Sequence, residues 1–195
     1  MRAKQPLKIT QRISTITNSF VQSILPRTVL SEEDLKALRK TLRQDEDDDL
    51  WCVYCGAKAT EWDHLLPLVT ARRPSGHLNV LGNLVPACGP CNHSKGSQDW
   101  RKWMQGSARN SPASRSVRYI EERIERLTNY SKLLGAPNLI DPTTLYDSEK
   151  YATYWTKLDE TERLMREAQV LADELRACAE GKLHYPTHRQ IPAGT

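Results

Sequence analysis

Two Cys-x-x-Cys pairs stand in the middle of the sequence, Cys52 with Cys55 and Cys88 with Cys91. Four thiolates at this kind of spacing can bind one zinc ion in tetrahedral geometry. The N-terminus has no apolar stretch of the signal-peptide type, and no apolar run reaches membrane-spanning length. We therefore expect a cytoplasmic protein without a membrane partner, in which paired cysteines act as metal ligands before they form disulfides. The prediction is a structural zinc ion on these four cysteines.

The residues between and just after the cysteine pairs are of the types that hydrolytic metal sites use. An acid and a histidine are adjacent at Asp63 and His64, and amide side chains follow at Asn83 and Asn92. A neutral imidazole can deprotonate water near pH 7, and carboxylate and amide oxygens suit Mg²⁺. Adjacent strand residues point to opposite faces. The acid and the histidine therefore reach one site only if the strand is distorted or the acid approaches from the side.

The order of these residues resembles the HNH family of nucleases with flanking zinc knuckles. The resemblance covers residues 52–96 and is carried by Cys52, Cys55, Asp63, His64, Pro67, Asn83, Cys88, Cys91, Asn92 and Lys95. It implies an α+β fold with a small ββα-metal core and a four-cysteine zinc site, surrounded by mainly α-helical N- and C-terminal segments. In that core one strand carries the Asp-His pair, a second strand follows, and a helix begins beside Asn92.

The resemblance also implies catalytic roles. His64 is the expected base, and Asp63 and Asn92 are the expected ligands of one catalytic divalent ion, Mg²⁺ or similar. Asn83 is expected to orient the His64 ring or to brace the loop. Many relatives have His at the third signature position, where this chain has Asn92 with His93 beside it. The metal ligand is therefore left open between these two neighbours, with Asn92 preferred.

Charge is distributed unevenly along the chain. Basic residues exceed acidic ones in residues 1–44 and 56–118, whereas acidic residues dominate 45–55 and 119–181. This pattern suits DNA as a polyanionic partner, although an ordinary solvated surface explains it equally well. By the resemblance, Lys95 is expected to contact a phosphate near the start of a helix. The other expected DNA-binding residues are Arg72, Arg73, Arg101 and Lys102.

Apolar periodicity predicts helices on both sides of the cysteine-rich segment. We predict an N-terminal helical segment with an acidic linker over residues 1–50, the metal-binding core over 51–106, and a helical region over 107–195. The expected helices cover residues 9–24, Ser31 to about Gln44, 92–104, 117 to about 134, and 148–180. The last is the longest, and its apolar stripe either docks on the nuclease body or pairs two copies as a homodimer.

The sequence thus predicts a metal-dependent DNA endonuclease that hydrolyses phosphodiester bonds, with restriction or defence as its expected role. Two alternatives stay open. One is a non-catalytic zinc ribbon that binds nucleic acid, and the other is a homing or phage nickase of the same family. One such site cuts one strand, so a double-strand break requires two copies.

Overall fold

The computed structural model describes residues 6–26, 29–44, 49–133 and 140–183. Within them, helices combine with two small antiparallel sheets, which confirms the predicted α+β class. The helices are α1 (Ile13–Ile24), α2 (Glu32–Leu42), α3 (Gly89–Lys95), α4 (Trp100–Gln105), α5 (Ile120–Leu133) and α6 (Ser148–Lys182), and the strands are β1 (Glu61–His64), β2 (Val69–Thr70), β3 (Arg73–Pro74) and β4 (Leu84–Ala87).

The ββα unit consists of β1, β4 and α3. Strands β1 and β4 pair antiparallel, with Asp63 opposite Val85 and His64 opposite Leu84. Helix α3 packs on β1, and β4 is buried along its whole length. On the far side of β4, the Val53 amide donates to the carbonyl of Pro86 at 3.0 Å. The first zinc knuckle is thus joined to the sheet by the main chain.

Local sequence explains where α2 begins and ends. The Ser31 hydroxyl accepts a hydrogen bond from the Asp34 amide, and the Asp34 carboxylate accepts one from the Ser31 amide. This reciprocal capping satisfies two donors at the start of the helix. The helix ends at Arg43, which has a left-handed backbone with φ of 52°. The predicted helix from Ser31 to about Gln44 is therefore correct to within two residues.

The predicted helix over residues 92–104 is divided in two. Helix α3 ends at Gly96, whose φ of 51° is in the left-handed region that favours glycine. Helix α4 then starts after Asp99, whose carboxylate accepts a hydrogen bond from the Lys102 amide at 2.8 Å. The apolar residues of the predicted helix, Trp100, Trp103 and Met104, all lie after this break, so their spacing gave no information about residues 92–99.

One hydrophobic core connects the helices to the zinc knuckles. Helix α2 packs on α5, and α4 also packs on α5. Tyr54 and Trp103 meet edge to face with ring centroids 5.1 Å apart. The Tyr130 hydroxyl donates to the Leu84 carbonyl at 2.8 Å and accepts from the Gly82 amide at 3.1 Å. Helix α5 thereby fixes the start of β4 in position.

The chain divides into two compact units, Met1–Ile16 with Glu149–Thr195, and Thr17–Ser148. The second unit contains all the predicted site residues. In the first unit, the Ile9 amide donates to the side-chain oxygen of Gln169 at 2.6 Å, so a short 3₁₀ turn is bonded to α6. The three-part division at residues 50 and 106 stays a prediction. Most of the acidic run, residues 45–48, and the tail from residue 184 lie outside the described residues.

None of the helices in the described ranges has both the length and the apolar character needed to cross a membrane.

Candidate active site and metal centre

The four cysteines of the two pairs converge at one point. Their sulfur atoms all lie within 4.8 Å of one another, and Cys55 and Cys88 Sγ are 3.6 Å apart. Tetrahedral zinc with Zn–S bonds of about 2.3 Å places sulfur atoms about 3.8 Å apart. Three of the four side chains are buried, and Cys55 is half-buried. The donor type, number and spacing therefore fit a structural zinc ion.

The neighbouring thiols of this cluster affect one another's ionisation. Hydrogen bonds from Cys52 and Cys91 hold the pKa of Cys55 well below its usual range. The same contacts raise the pKa of Cys91, and the bond to Cys55 raises the pKa of Cys52 to about 11. The first thiol of the cluster therefore ionises readily, and its contacts disfavour ionisation of the next. A zinc ion binds thiolates, so a bound ion would make ionisation of all four thiols favourable.

Arg115 contacts the cysteine cluster from outside the predicted core. Its Nη2 donates to Cys91 Sγ at 2.9 Å. A guanidinium at this position offsets part of the negative charge that four thiolates bring to a zinc ion. A role for Arg115 at the zinc site was not predicted, because the residue lies well after Cys91 in a Ser-rich loop.

Asp63 and Lys95 form a buried ion pair between β1 and α3. The Asp63 side chain is 6% exposed and that of Lys95 is fully buried, and Lys95 Nζ lies 3.2 Å from either carboxylate oxygen. Tyr54 donates its hydroxyl to Asp63 Oδ2 at 2.6 Å. Burial and the Asp63 charge raise the pKa of Tyr54 well above its usual range, so the phenol remains a donor. The Asp63 carboxylate is thus held by one cation and one hydroxyl.

The Lys95 ammonium donates hydrogen bonds to three neighbouring residues of the protein. Besides Asp63, Nζ donates to the carbonyls of His64 at 2.7 Å and Gly96 at 3.3 Å. Burial lowers the pKa of Lys95, while the charge of Asp63 acts in the opposite direction. An ammonium with three protein acceptors and no exposed surface cannot reach a phosphate in this conformation. The geometry supports a role for Lys95 in fixing β1 against α3 rather than the predicted DNA contact.

We expect Lys95→Met to lower the free energy of unfolding by about 3–5 kcal/mol, because it leaves the Asp63 carboxylate buried without a counter-charge. Denaturant unfolding followed by tryptophan fluorescence measures this loss. The exposed Lys102→Met is the matched control, with an expected change within about 0.5 kcal/mol. Combining Lys95→Met with Asp63→Asn should restore part of the loss. Equal stability of the two lysine variants would show that the ion pair does not stabilise the fold.

The imidazole of His64 is held at the end of β1. Its Nε2 lies 2.9 Å from the Asn79 side-chain oxygen. An amide oxygen only accepts, so Nε2 carries the hydrogen and Nδ1 keeps its lone pair. Burial lowers the pKa of His64 below 6.5, and the Asn79 contact only partly opposes this effect. The ring is therefore neutral at pH 7 and able to accept a proton at Nδ1.

Asn79 is a site residue that was not predicted from the sequence. It lies in the loop between β3 and β4, and no spacing rule relates it to His64. Asn83 was expected to orient the His64 ring or to brace the loop. Its side chain donates to the carbonyls of Leu66 and Leu78 and accepts from the Leu66 amide at 2.7 Å. These contacts are with the loop, whereas Asn79 contacts the ring, and the role of Asn83 in the site stays a prediction.

Asn92 forms a hydrogen bond with Glu61, a second acidic residue of β1. Its side-chain amide donates to Glu61 Oε2 at 2.6 Å, and His93 Nε2 lies 3.7 Å from Glu61 Oε1. The Glu61 side chain is 35% exposed and that of His93 is 78% exposed. Glu61 was not among the predicted site residues. Its position two residues before Asp63 places both acids on one strand face, a signal that alternation along β1 could have supplied.

The oxygen donors near α3 fit a hard divalent cation in type. Glu61, Asp63 and Asn92 supply carboxylate and amide oxygens, the ligands that Mg²⁺ prefers. Asn92 and Glu61 are partly accessible, whereas a cation on Asp63 has to compete with the Lys95 ammonium. The roles of Asp63 and Asn92 as ligands therefore stay predictions.

The remaining predicted DNA contacts lie in two places. Arg72 and Arg73 are in the β2–β3 hairpin, where Arg73 Nη1 donates to the Arg72 carbonyl at 3.0 Å. Arg101 and Lys102 are exposed on α4. The Arg101 guanidinium donates to the Thr128 hydroxyl at 2.6 Å and lies 5.0 Å from the centre of the Trp100 ring. Packing on α5 thus orients Arg101, and the four DNA contacts stay predictions.

Comparison with known proteins agrees with this geometry. Residues 52–98 match the family model described as HNH endonuclease. The chain is also similar to the CRISPR-associated endonuclease Cas9 of Corynebacterium diphtheriae, with 30% identity over 94 residues. This alignment covers 44% of the chain and 8% of the relative, so the chain spans only a small part of that protein's length. No solved structure matches the chain.

The matched segment contains the cysteine cluster, the β1–β4 pair and α3. Fold, cysteine geometry and family match agree on the class of this segment. Residues 52–98 form a domain of the HNH endonuclease family, as the resemblance implied.

Proposed function

We propose that this protein is a divalent-metal-dependent endonuclease that hydrolyses phosphodiester bonds in DNA. One observation carries the proposal: inside the HNH segment, a neutral imidazole is oriented by Asn79 at the end of the strand that carries two carboxylates. Phosphodiester hydrolysis needs a base for water and positive charge near the leaving oxygen. The residues supply the base directly and the ligands for the cation.

The proposed mechanism begins at His64. Nδ1 takes a proton from a water molecule aligned opposite the 3′ oxygen of the scissile bond, and Asn79 keeps the ring in the required tautomer. The resulting hydroxide attacks the phosphorus, the bond from phosphorus to the 3′ oxygen breaks, and that oxygen takes a proton from solvent. Asp63 and Asn92 would hold the divalent ion, which would supply positive charge to the leaving oxygen. The expected products carry 5′-phosphate and 3′-hydroxyl ends. Lys95 acts in this scheme as a positioning residue, because it bonds both Asp63 and the His64 carbonyl.

The proposed biological role is restriction or defence inside the cell. The support is a nuclease segment at residues 52–98 with helices on both sides. The Cas9 relative is named an endonuclease, which agrees with a nucleic acid as the substrate class. We further propose that two copies associate through α6 when both strands are cut. A homing or phage nickase would act as a single copy.

Supercoiled plasmid tests the function directly. We expect the purified chain with Mg²⁺ to convert plasmid to nicked or linear forms, and omission of Mg²⁺ to stop the reaction while the zinc content of the protein stays unchanged. Linear product from the earliest times would support paired copies, whereas nicked product alone would support a single-copy nickase. A protein that shifts plasmid in a gel but never cuts it, with several divalent ions tried, would be a zinc-ribbon binding module instead.

A further inference from the structure

Three arginines surround a cleft on the side of the first zinc knuckle. The cleft has a volume of about 210 Å³ and is lined by Leu42, Arg43, Gln44, Trp51, Cys52, Val53, Gly56, Arg123, Arg126 and Leu127. Neither aspartate nor glutamate occurs among these lining residues. We refer to it as the arginine cleft. None of its arginines takes part in the mechanism proposed for His64.

Two of the guanidinium groups are fixed by the main chain. Arg123 donates to the carbonyls of Val53 and Arg118, each at 3.4 Å, and Arg126 donates to the Leu42 carbonyl at 3.3 Å. Each guanidinium has five N–H donors, so these contacts leave several directed elsewhere. Both side chains are half-buried, which limits the freedom they would lose on binding a ligand.

Gly56 permits the close approach of Arg123. Its φ is +80°, and a Cβ built at this position would lie 2.8 Å from Arg123 Nη2. The glycine that follows the first cysteine pair therefore gives the guanidinium direct access to the knuckle backbone. Arg43 completes the group from the end of α2, where its left-handed backbone turns the chain.

Basic residues outnumber acidic ones at the cleft and beside it. Neither Arg43, Arg123 nor Arg126 forms an ion pair within the described ranges. Burial lowers the pKa of Arg126, the neighbouring charges of Arg43 and Arg123 lower it further, and Glu122 acts in the opposite direction. Glu122 and Glu125 lie in the adjoining pocket, outside the lining of the arginine cleft itself. The three guanidinium groups that line the cleft therefore favour an anionic ligand. Guanidinium forks match phosphate oxygens in particular.

We propose that the arginine cleft binds a backbone phosphate of the DNA substrate, away from the scissile bond. The inference rests on the proposed function for the identity of the polyanion. Trp51, which is 40% exposed, lies at the same cleft and offers a flat apolar surface beside the phosphate. The interaction would position the duplex without reading its sequence, as phosphate contacts generally do.

Fluorescence anisotropy with a labelled DNA duplex tests the inference, using the His64→Ala chain without added divalent ion so that cleavage does not enter. The variant Arg43→Gln, Arg123→Gln, Arg126→Gln should bind about tenfold more weakly near 0.1 M salt for each phosphate that it no longer neutralises. The salt dependence of log affinity should become shallower by about 0.9 for each such phosphate. Arg126→Lys should keep most of the salt dependence because it keeps the charge.

The matched control removes three charges from α6 through Arg163→Gln, Arg166→Gln and Arg176→Gln. Each of these arginines faces an acid on the same helix, and we expect the control to bind DNA like the parent chain. Equal losses of affinity in both triple variants would overturn the inference, because only net charge would then matter. So would unchanged affinity of the arginine-cleft variant, and a lowered unfolding midpoint beside it would assign these arginines to the stability of the fold. Failure of the plasmid assay alone would refute the nuclease and leave this binding result standing.

Discussion

His64→Ala should reduce plasmid cleavage about 10²–10⁴-fold, the range expected when a general base is removed. Zinc content and the midpoint of thermal unfolding should stay close to the parent values, because the half-buried ring is bonded to one loop side chain, that of Asn79. Initial rates of supercoil loss under saturating Mg²⁺ measure the effect. Parent-like cleavage by the alanine variant would remove His64 from the mechanism.

Two neighbouring substitutions sharpen this result. Asn92→Ala should reduce cleavage strongly, whereas His93→Ala should leave it near the parent rate, since His93 projects into solvent. The reverse order would make His93 the metal ligand. The pH profile gives an independent readout of the base. Because burial lowers the pKa of His64, cleavage should fall only below a midpoint under pH 6.5. Asn79→Asp places a carboxylate beside Nε2 and should move that midpoint to higher pH.

Cys88→Ser should prevent the second unit from folding stably. Structural zinc sites contribute about 10–16 kcal/mol of apparent binding free energy in small zinc peptides, comparable to the whole stability of a domain. Cys88 is one of the four clustered cysteines that fit a zinc ion, and it directly precedes the first residue of α3. Its replacement therefore disconnects the helix that carries Asn92 and Lys95 from the first knuckle. Bound zinc per chain and the near-ultraviolet circular dichroism measure the outcome.

Cys178→Ser is the matched control for this variant. Cys178 is exposed on α6 and is not one of the four clustered cysteines. We expect one zinc ion per chain and an unchanged unfolding midpoint. If the Cys88→Ser chain keeps both its zinc and its cooperative unfolding, the metal is not required for the fold. Activity would then depend on the oxygen donors of β1 and α3 alone.

Much of the core was predictable because it is encoded over short distances. The two cysteine spacings predicted the metal cluster, and the capping residues Ser31 and Asp34 predicted the start of α2. Family resemblance supplied the β-strand–β-strand–helix order. The break at Gly96 was missed because the predicted helix depended on Trp100 and Trp103, which both lie after it. A glycine inside a helical pattern ends the helix only when the tertiary structure turns the chain there.

The environment of the candidate site was less predictable. Lysine is usually exposed, and the place of Lys95 in the family motif predicted a phosphate contact. The fold instead buries it against Asp63. Asn79 and Arg115 come from loops whose paths depend on the whole core. Charge, burial and hydrogen bonding of such residues depend on the folded structure, so they cannot be predicted from the spacing of residues in the sequence. Arg115 also lies beyond the end of the family match at residue 98.

The proline at position 86 has a consequence for how copies of this chain can meet. Its carbonyl points away from β1 and accepts the Val53 amide, and a proline has no amide hydrogen to offer on that same side. The outer side of β4 therefore has no donor at this residue for a strand from another molecule. Edge-to-edge sheet extension, a common route to aggregation, is blocked there. A second copy of the chain therefore cannot continue a regular hydrogen-bond ladder along β4 past Pro86.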